Sequence, residues 1–368
     1  MMTNIIHMIQ INKSLRYLLI ILLAISPFNN QNYAGNPQRA GQAGASELLI
    51  NPWARTSGWA GSNVAGVTGV EAIYSNVAGL AFTEKTELVF TQTSWLQYGS
   101  KMFSSNDAVS NISSFGFSQR VGESGAIGLA VMSMDFGEIE ITTTDLPDGG
   151  IGTYSPKFMN IAASYSHIFS NSIYGGFTIK MISEQISNLG ATGVALDAGI
   201  QYITGKKDNL KFGIALKNVG PRMAFTGDGL SFRGIVGDDD DYKMTVEQRS
   251  AEFELPALLN LGLSYDINFN RHRLTGAGAF TSNSFQKDQY RLGCEYSYRE
   301  MFMVRTGYTY EEGITNPETR TTALRGPSGG FTIELPMGSS GTTFGLDYSY
   351  RHTDPFQGSH SIGARINL

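Results

Sequence analysis

Segments of about ten residues, in which apolar and polar side chains alternate, follow one another from Glu87 to the C-terminus. In the last segment, Ile362 and Ile366 share one face of an extended chain, and Gly363 and Arg365 lie on the other. Each segment is close to the ~9–11 residues that a tilted transmembrane strand needs. The pattern therefore predicts an all-β fold: a transmembrane antiparallel β-barrel of about 14 strands over residues 83–368. We predict strands at 87–96, 112–121, 125–134, 159–169, 173–184, 192–204, 210–219, 256–268, 272–282, 289–298, 301–311, 328–335, 342–351 and 359–368.

The connections between these segments alternate in length along the chain. Outer-membrane barrels have long extracellular loops and short periplasmic turns, so the alternation predicts a bacterial outer-membrane barrel with both ends in the periplasm. The predicted long connections are 97–111, 135–158, 185–191, 220–255, 283–288, 312–327 and 352–358. The predicted short ones are 122–124, 170–172, 205–209, 269–271, 299–300 and 336–341.

The composition agrees with a barrel and excludes some alternatives. The chain has 43 Gly, 17 Tyr and 21 Phe among 368 residues, and only 16% of its residues are charged. Its mean hydropathy of −0.13 reflects the alternation, since apolar and polar positions balance. The formal net charge of −5 gives no reason to expect nucleic acid as a partner. A single cysteine, Cys294, excludes an intrachain disulfide.

The first 34 residues have the pattern of a secretory signal peptide. Lys13 and Arg16 precede an apolar run from Tyr17 to Ile25. This run is half the length of a membrane-spanning helix, which needs ~18 or more apolar residues. We expect residues 1–34 to be removed by cleavage after Ala34.

Residues 35–82 are predicted to form an N-terminal plug segment. A barrel of about 14 strands is wider than the eight-stranded kind that side chains alone can fill. The segment is rich in Gly and Ala, and residues 70–80 are expected to be partly helical. A periplasmic extension is the alternative. The predicted inward strand faces carry charges of both signs, which indicates a wet lumen: Lys180, Asp197, Lys211, Lys217, Glu295, Arg299, Arg305, Asp347, Arg351 and Arg365.

The predicted loop 220–255 holds the candidate binding residues. Phe225, Phe232 and Phe253 are apolar side chains in a long extracellular loop, which indicates packing across the barrel mouth or contact with a partner protein. The same loop contains Asp238–Asp241, and clustered carboxylates can bind Ca²⁺. Because the spacing of an EF-hand loop is absent, we favour a solvated acidic tip and predict no metal site.

No catalytic constellation is apparent in the sequence. It contains no H-E-x-x-H, no G-x-S-x-G stretch stands at a predicted strand-to-helix turn, and its histidines are isolated from one another. We therefore expect that the protein is not an enzyme, has no catalytic residues and needs no cofactor.

Four short stretches carry a family resemblance. Asn76–Leu80 resembles the Asn-Pro-Ala-Gly-Leu stretch before the first strand of FadL-like barrels, with Val77 in place of the proline. Within that superfamily, Ala45–Arg55, Val131–Thr143 and Asn218–Arg222 resemble the PorV/PorQ family of type IX secretion system outer-membrane proteins, found in the Bacteroidota.

This resemblance implies a fourteen-stranded barrel with an N-terminal plug and a role in protein transport. PorV-like proteins are similar to a shuttle: they bind the C-terminal signal domain of secreted cargo at a Sov/SprA-like translocon barrel. They then deliver the cargo to the surface attachment complex. The resemblance does not separate a PorV-type from a PorQ-type role. Two other classes stay open: a FadL-type outer-membrane transporter of hydrophobic small molecules, and a porin-like or structural barrel without dedicated cargo.

Overall fold

The computed structural model describes residues 35–96, 110–235, 243–338 and 341–368. In this part of the chain, fourteen strands close into one antiparallel barrel in which the first strand pairs with the last, Glu87 lying opposite Asn367. The predicted barrel and its strand count are confirmed. The predicted signal peptide lies outside the described residues.

The strands follow the predicted segments closely. The barrel consists of β1 (Thr86–Trp95), β2 (Ser110–Val121), β3 (Gly125–Asp135), β6 (Lys157–Ile168), β7 (Ile173–Ile186), β8 (Leu189–Thr204), β9 (Leu210–Val219), β12 (Leu258–Phe269), β13 (His272–Asn283), β14 (Gln289–Tyr298), β15 (Phe302–Glu311), β16 (Leu324–Pro336), β17 (Thr343–Thr353) and β18 (Ser359–Asn367). In the described ranges, two small hairpins lie outside the barrel: β4 (Ile139–Glu140) pairs with β5 (Thr153–Tyr154), and β10 (Ser231–Ile235) pairs with β11 (Lys243–Glu247).

Side chains alternate between the two faces of the barrel wall. On β3, Leu129 and Val131 point outward and are exposed, whereas Ala130 and Met132 point inward and are buried. The Leu292 side chain on β14 is 68% exposed, and in a membrane this outward-facing side chain contacts lipid. No helix in the described ranges is long and apolar enough to cross a membrane.

One predicted connection is wrong. The chain between β7 and β8 is not a long loop at 185–191 but a two-residue turn, because Ile186 pairs directly with Leu189. The strands have 14 and 16 residues and continue past the end of the apolar alternation. Backbone hydrogen bonds between strands require no apolar face, so β7 and β8 stay paired beyond the residues in which apolar and polar side chains alternate.

The N-terminal segment, residues 35–82, lies against the inward faces of the strands. The Tyr74 hydroxyl donates to the Asn160 carbonyl of β6 at 3.2 Å, and Ser328 Oγ of β16 donates to the Gly58 carbonyl at 3.0 Å. Trp53 is fully buried. The segment contains one short α-helix, α1 (Ala54–Gly58), and four 3₁₀ turns: Pro37–Arg39, Ser46–Leu49, Gly69–Tyr74 and Val77–Phe82. The expected partial helicity of residues 70–80 is thus present as 3₁₀ structure.

Inward-facing glycines let the N-terminal segment approach the wall. A methyl group at Gly307 would lie 2.5 Å from the carbonyl carbon and oxygen of Trp59, too close for any side chain. At Gly199 it would lie 2.1 Å from the side-chain oxygen of Asn76. Glycine weakens a strand and often marks such close approach of another backbone. The same holds on five further strands, at Gly116, Gly128, Gly213, Gly262 and Gly293.

Candidate functional site

The barrel interior has two unlike walls. The wall formed by β2, β3, β6 and β7 is mainly apolar in its extracellular half, apart from Glu184 of β7, and its apolar side chains pack against Trp53 and Ile73 of the N-terminal segment. The alternation pattern did not reveal this wall. It predicts apolar residues only on the outward face of each strand, where lipid lies, whereas β3 is apolar on both faces. The buried inward residues are Ile112, Met132, Met134, Phe158 and Ile182.

The opposite wall carries buried charges that bind the N-terminal segment. Arg55 of α1 lies 3.2 Å from Asp347 of β17, measured from Nε to Oδ1. Arg365 of β18 binds Glu87 of β1 at 2.8 Å and also contacts Glu71 of the N-terminal segment. Buried ions require such partners, since an isolated charge out of water is very costly. These charges therefore hold the N-terminal segment to the wall.

The charge pairing extends along the same side of the barrel. Arg305 Nε of β15 donates to Glu295 Oε2 of β14 at 2.7 Å, and Arg273 of β13 reaches the other oxygen of Glu295 at 3.0 Å. Burial disfavours a charged Glu300 in the next turn, but hydrogen bonds from Arg273 outweigh burial and hold the pKa of Glu300 below its usual range. One predicted inward charge is wrong: Arg299 is exposed in the turn after β14, with φ 56°.

A cavity of 380 Å³ lies at the extracellular end of the barrel, between the two walls; we call it the mouth cavity. It adjoins Trp95 at the end of β1 and Ser110 at the start of β2, on the side of the long connections. Its apolar lining consists of Leu49, Ile50, Trp95, Met134, Phe136 and Leu258. Its polar lining includes Glu47, Asn283, Gln286, Gln289, Arg291 and Arg351.

The two arginines of the mouth cavity differ from those of the charged wall. Arg291 Nη2 donates to Gln289 Oε1 at 2.6 Å, and its buried Nε has no hydrogen-bond partner. The Arg351 guanidinium lies 6.0 Å from the ring centroid of Trp95. Neither arginine forms an ion pair within the described ranges. Glu47 lines the same cavity, and burial raises the pKa of its carboxyl.

The structure brings together two of the three predicted binding residues. The rings of Phe225 and Phe253 are 5.7 Å apart, centroid to centroid, and both pack against the apolar cluster of the barrel interior. Met223 and Phe253 exchange backbone hydrogen bonds of 2.9 and 2.8 Å. Phe232 is separate from this pair: it lies on β10 and is 53% exposed. The predicted acidic tip, Asp238–Asp241, lies outside the described residues.

A second extracellular hairpin exposes apolar side chains that the sequence pattern did not single out. The connection between β3 and β6 carries Ile139, Leu146 and Ile151, all exposed. Phe232 and Met244 of the β10–β11 hairpin are exposed as well, so two extracellular hairpins carry exposed apolar side chains. One feature of the sequence could have indicated these exposed side chains: isolated large apolar residues stand in a connection rich in Gly and Asp.

Comparison with known proteins gives similarity at the level of the fold. No family model matches the chain, and no curated protein sequence matches it. The monoaromatic hydrocarbon channel CymD is 13% identical over 86% of this chain and 97% of its own, with a TM-score of 0.51. The Pseudomonas putida toluene transporter TodX is 13% identical over 82% of this chain and 94% of its own, also with a TM-score of 0.51. At such low identity the likeness concerns the fold alone.

The fold and the apolar outer face together define the class of protein. The chain forms an antiparallel β-barrel that spans the outer membrane with fourteen strands, and its fold is similar to those of CymD and TodX. The expected fourteen-stranded barrel and the expected outer-membrane location are confirmed.

Proposed function

We propose that this barrel works at its extracellular face, as a PorV-like shuttle of the type IX protein secretion system. In this role it binds the C-terminal signal domain of cargo at a Sov/SprA-like translocon barrel and delivers the cargo to the surface attachment complex. The observation that carries the proposal is the set of exposed apolar side chains on two extracellular hairpins. Exposed apolar patches on loops that face solvent are typical of protein-binding surfaces.

The barrel interior also supports a surface function. The N-terminal segment contacts both walls, through Tyr74 and Asn160 on one side and Arg55 and Asp347 on the other. A steady water-filled channel would require this segment to leave its buried ion pairs and hydrogen bonds. The stretch Ala45–Arg55, one of the four that carry the family resemblance, belongs to this segment.

Affinity purification tests the proposal. The full chain would be tagged in the tight turn Gly205–Asn209 and recovered from its own outer membrane in mild detergent. We expect a very large barrel and secreted proteins with a shared C-terminal domain to co-purify. Replacing Leu146 and Phe232 by serine should reduce the recovery of cargo, whereas replacing the exposed Glu318 by glutamine should not. Recovery of the barrel alone from the unsubstituted protein would overturn the proposal.

A FadL-type transporter of hydrophobic small molecules is the second candidate. The mouth cavity adjoins the apolar wall through Met134, which fits an apolar ligand entering from outside. The similar solved structures support this candidate rather than the first, since they are a monoaromatic hydrocarbon channel and a toluene transporter. Purified protein that carries a bound apolar ligand, and no secreted protein, would favour the transporter.

A further inference from the structure

Two arginines, Arg291 and Arg351, and one carboxyl, that of Glu47, line the mouth cavity, and burial raises the pKa of the Glu47 carboxyl. Arg55, Arg305 and Arg365, deeper in the barrel, each lie within ion-pair distance of a carboxylate. Arg291 and Arg351 have no such partner in the described part of the chain, although both line a partly enclosed cavity. A desolvated guanidinium without an anion is costly, so such a site favours binding of an anion from outside.

We propose that the mouth cavity binds a carboxylate attached to a short, partly apolar chain. The guanidinium group offers its N–H donors as a planar fork that matches the two oxygens of a carboxylate. Arg291 lies on β14 and Arg351 on β17, each two residues from the extracellular end of its strand. Rigid strands therefore hold both donors at the mouth.

The lining of the cavity specifies what is attached to the carboxylate. Leu49, Ile50 and Trp95 provide apolar contact for a side chain or a hydrocarbon. Gln286 and Asn283 add amide groups that can pair with the hydrogen-bonding groups of a peptide, which an acyl chain lacks. The volume of 380 Å³ lies within the ~300–1,000 Å³ typical of ligand pockets.

The same carboxylate chemistry has two sources, the free C-terminus of a polypeptide and a fatty acid anion. The amide lining favours the polypeptide. This part of the inference deepens the proposed function and rests on it, because the polypeptide would then be an exported cargo protein.

The test measures binding of short probes to the purified full-length barrel in detergent. Fluorescence anisotropy would compare a labelled Ala-Val-Leu tripeptide with a free carboxylate, the same tripeptide with a C-terminal amide, and laurate as a competitor. We expect the amide to bind about tenfold more weakly or worse, since a hydrogen bond to a charged group is lost. Arg351→Gln and Arg291→Gln should each weaken binding of the carboxylate tripeptide by a similar factor, and Arg351→Lys by less. Arg299→Gln, which removes an exposed arginine outside the cavity, is the matched control.

Each outcome bears on the inference. If the protein prefers the carboxylate tripeptide over its amide, and the cavity variants lose this preference, the result supports the site and its polypeptide source. If the tripeptide binds weakly and laurate displaces it strongly, the result supports the site with a fatty acid source. Equal binding of tripeptide and amide, no binding of either the carboxylate tripeptide or laurate, or unchanged binding in both glutamine variants would overturn it. The heat-dependent gel migration of each variant shows whether its barrel is folded, and the charge-retaining Arg351→Lys variant separates loss of the site from loss of fold. Cargo recovery without tripeptide binding would leave the proposed function standing, and tripeptide binding without cargo recovery would leave only the site.

Discussion

At the scale of single residues, glycines on the strands leave room for the N-terminal segment to lie close to the barrel wall. The backbone of Trp59 occupies the space where a side chain at Gly307 would lie, whereas Gly276 on β13 has no atom within 4 Å of that space. Two strand glycines that look alike in sequence therefore have different roles. One accommodates a packed segment, and the other is free to change.

We expect Gly307→Ala to destabilise the protein and Gly276→Ala to leave it nearly unchanged. Overpacking of a filled site costs about 1–3 kcal/mol of unfolding free energy. Denaturant unfolding of the refolded barrels in detergent, followed by gel migration, would measure the difference. Equal stability of the two variants would show that residues near Trp59 do not pack against β15.

The buried carboxylate of Glu71 is the second residue-scale test. It accepts hydrogen bonds from the Thr56 amide at 3.1 Å and the Thr56 hydroxyl at 2.7 Å, and it contacts Arg365. Glu71→Gln keeps the shape but leaves a buried arginine with less negative charge, and breaking buried pairs costs about 3–5 kcal/mol. We expect faster proteolysis of the N-terminal segment in this variant. Arg222→Gln, at an exposed pair with Glu254, should have little effect.

At the scale of elements, two extracellular connections are joined by one carboxylate. Asp354, just after β17, accepts from Arg320 Nη2 at 3.0 Å and from Arg325 Nε at 3.1 Å. Its backbone amide donates to the Ala323 carbonyl at 2.9 Å. Hydrogen bonds from Arg325, and then from Arg320, lower the pKa of Asp354.

The lowered pKa predicts that this loop contact depends on pH. A carboxyl with a folded pKa below its unfolded value of about 3.9 stabilises the contact above that value, and the effect is lost as pH falls through the folded pKa. We expect amide protection factors in residues 312–323 to be constant above pH ~5 and to decrease at more acidic pH. Asp354→Asn should lower protection at neutral pH and remove its acid dependence. Identical profiles for the two proteins would contradict this expectation.

Elements also show where side-chain patterning stops being informative. The fourteen strand positions could be predicted because a membrane barrel must present apolar residues outward at every second position. The extension of β7 and β8 could not, since strands above the membrane need no apolar face. Likewise, Phe225 and Phe253 could be named as apolar loop residues, but their pairing, and the separation of Phe232, depends on how the loop folds.

At the scale of the whole molecule, the unlike walls give the barrel a fixed interior. Apolar side chains such as Phe158 hold one side of the N-terminal segment, and ion pairs such as Arg55 with Asp347 hold the other. A segment held by both kinds of contact is removed only at the cost of both.

We therefore expect the full-length protein to show no steady conductance in planar bilayers. Because Glu71→Gln weakens the attachment of the N-terminal segment, this variant should show intermittent channel openings at the same protein density. Gly276→Ala serves as the control and should stay closed. A steady conductance from the unsubstituted protein would contradict the predicted plug and favour a porin-like barrel.

The sequence by itself determined that this protein is an antiparallel outer-membrane barrel of fourteen strands. Lipid around the barrel requires an apolar side chain at every second strand position, and antiparallel strands in an outer membrane are joined by short turns and long loops in alternation. Tertiary structure alone decided which inward charges find partners. Arg305 and Arg351 are both inward arginines at alternating positions, yet the first forms an ion pair with Glu295 and the second lines the mouth cavity with no ion pair in the described part of the chain. Which residues meet across the lumen depends on barrel closure and on the path of the N-terminal segment. Neither is encoded in a local pattern, since both join residues far apart in the chain.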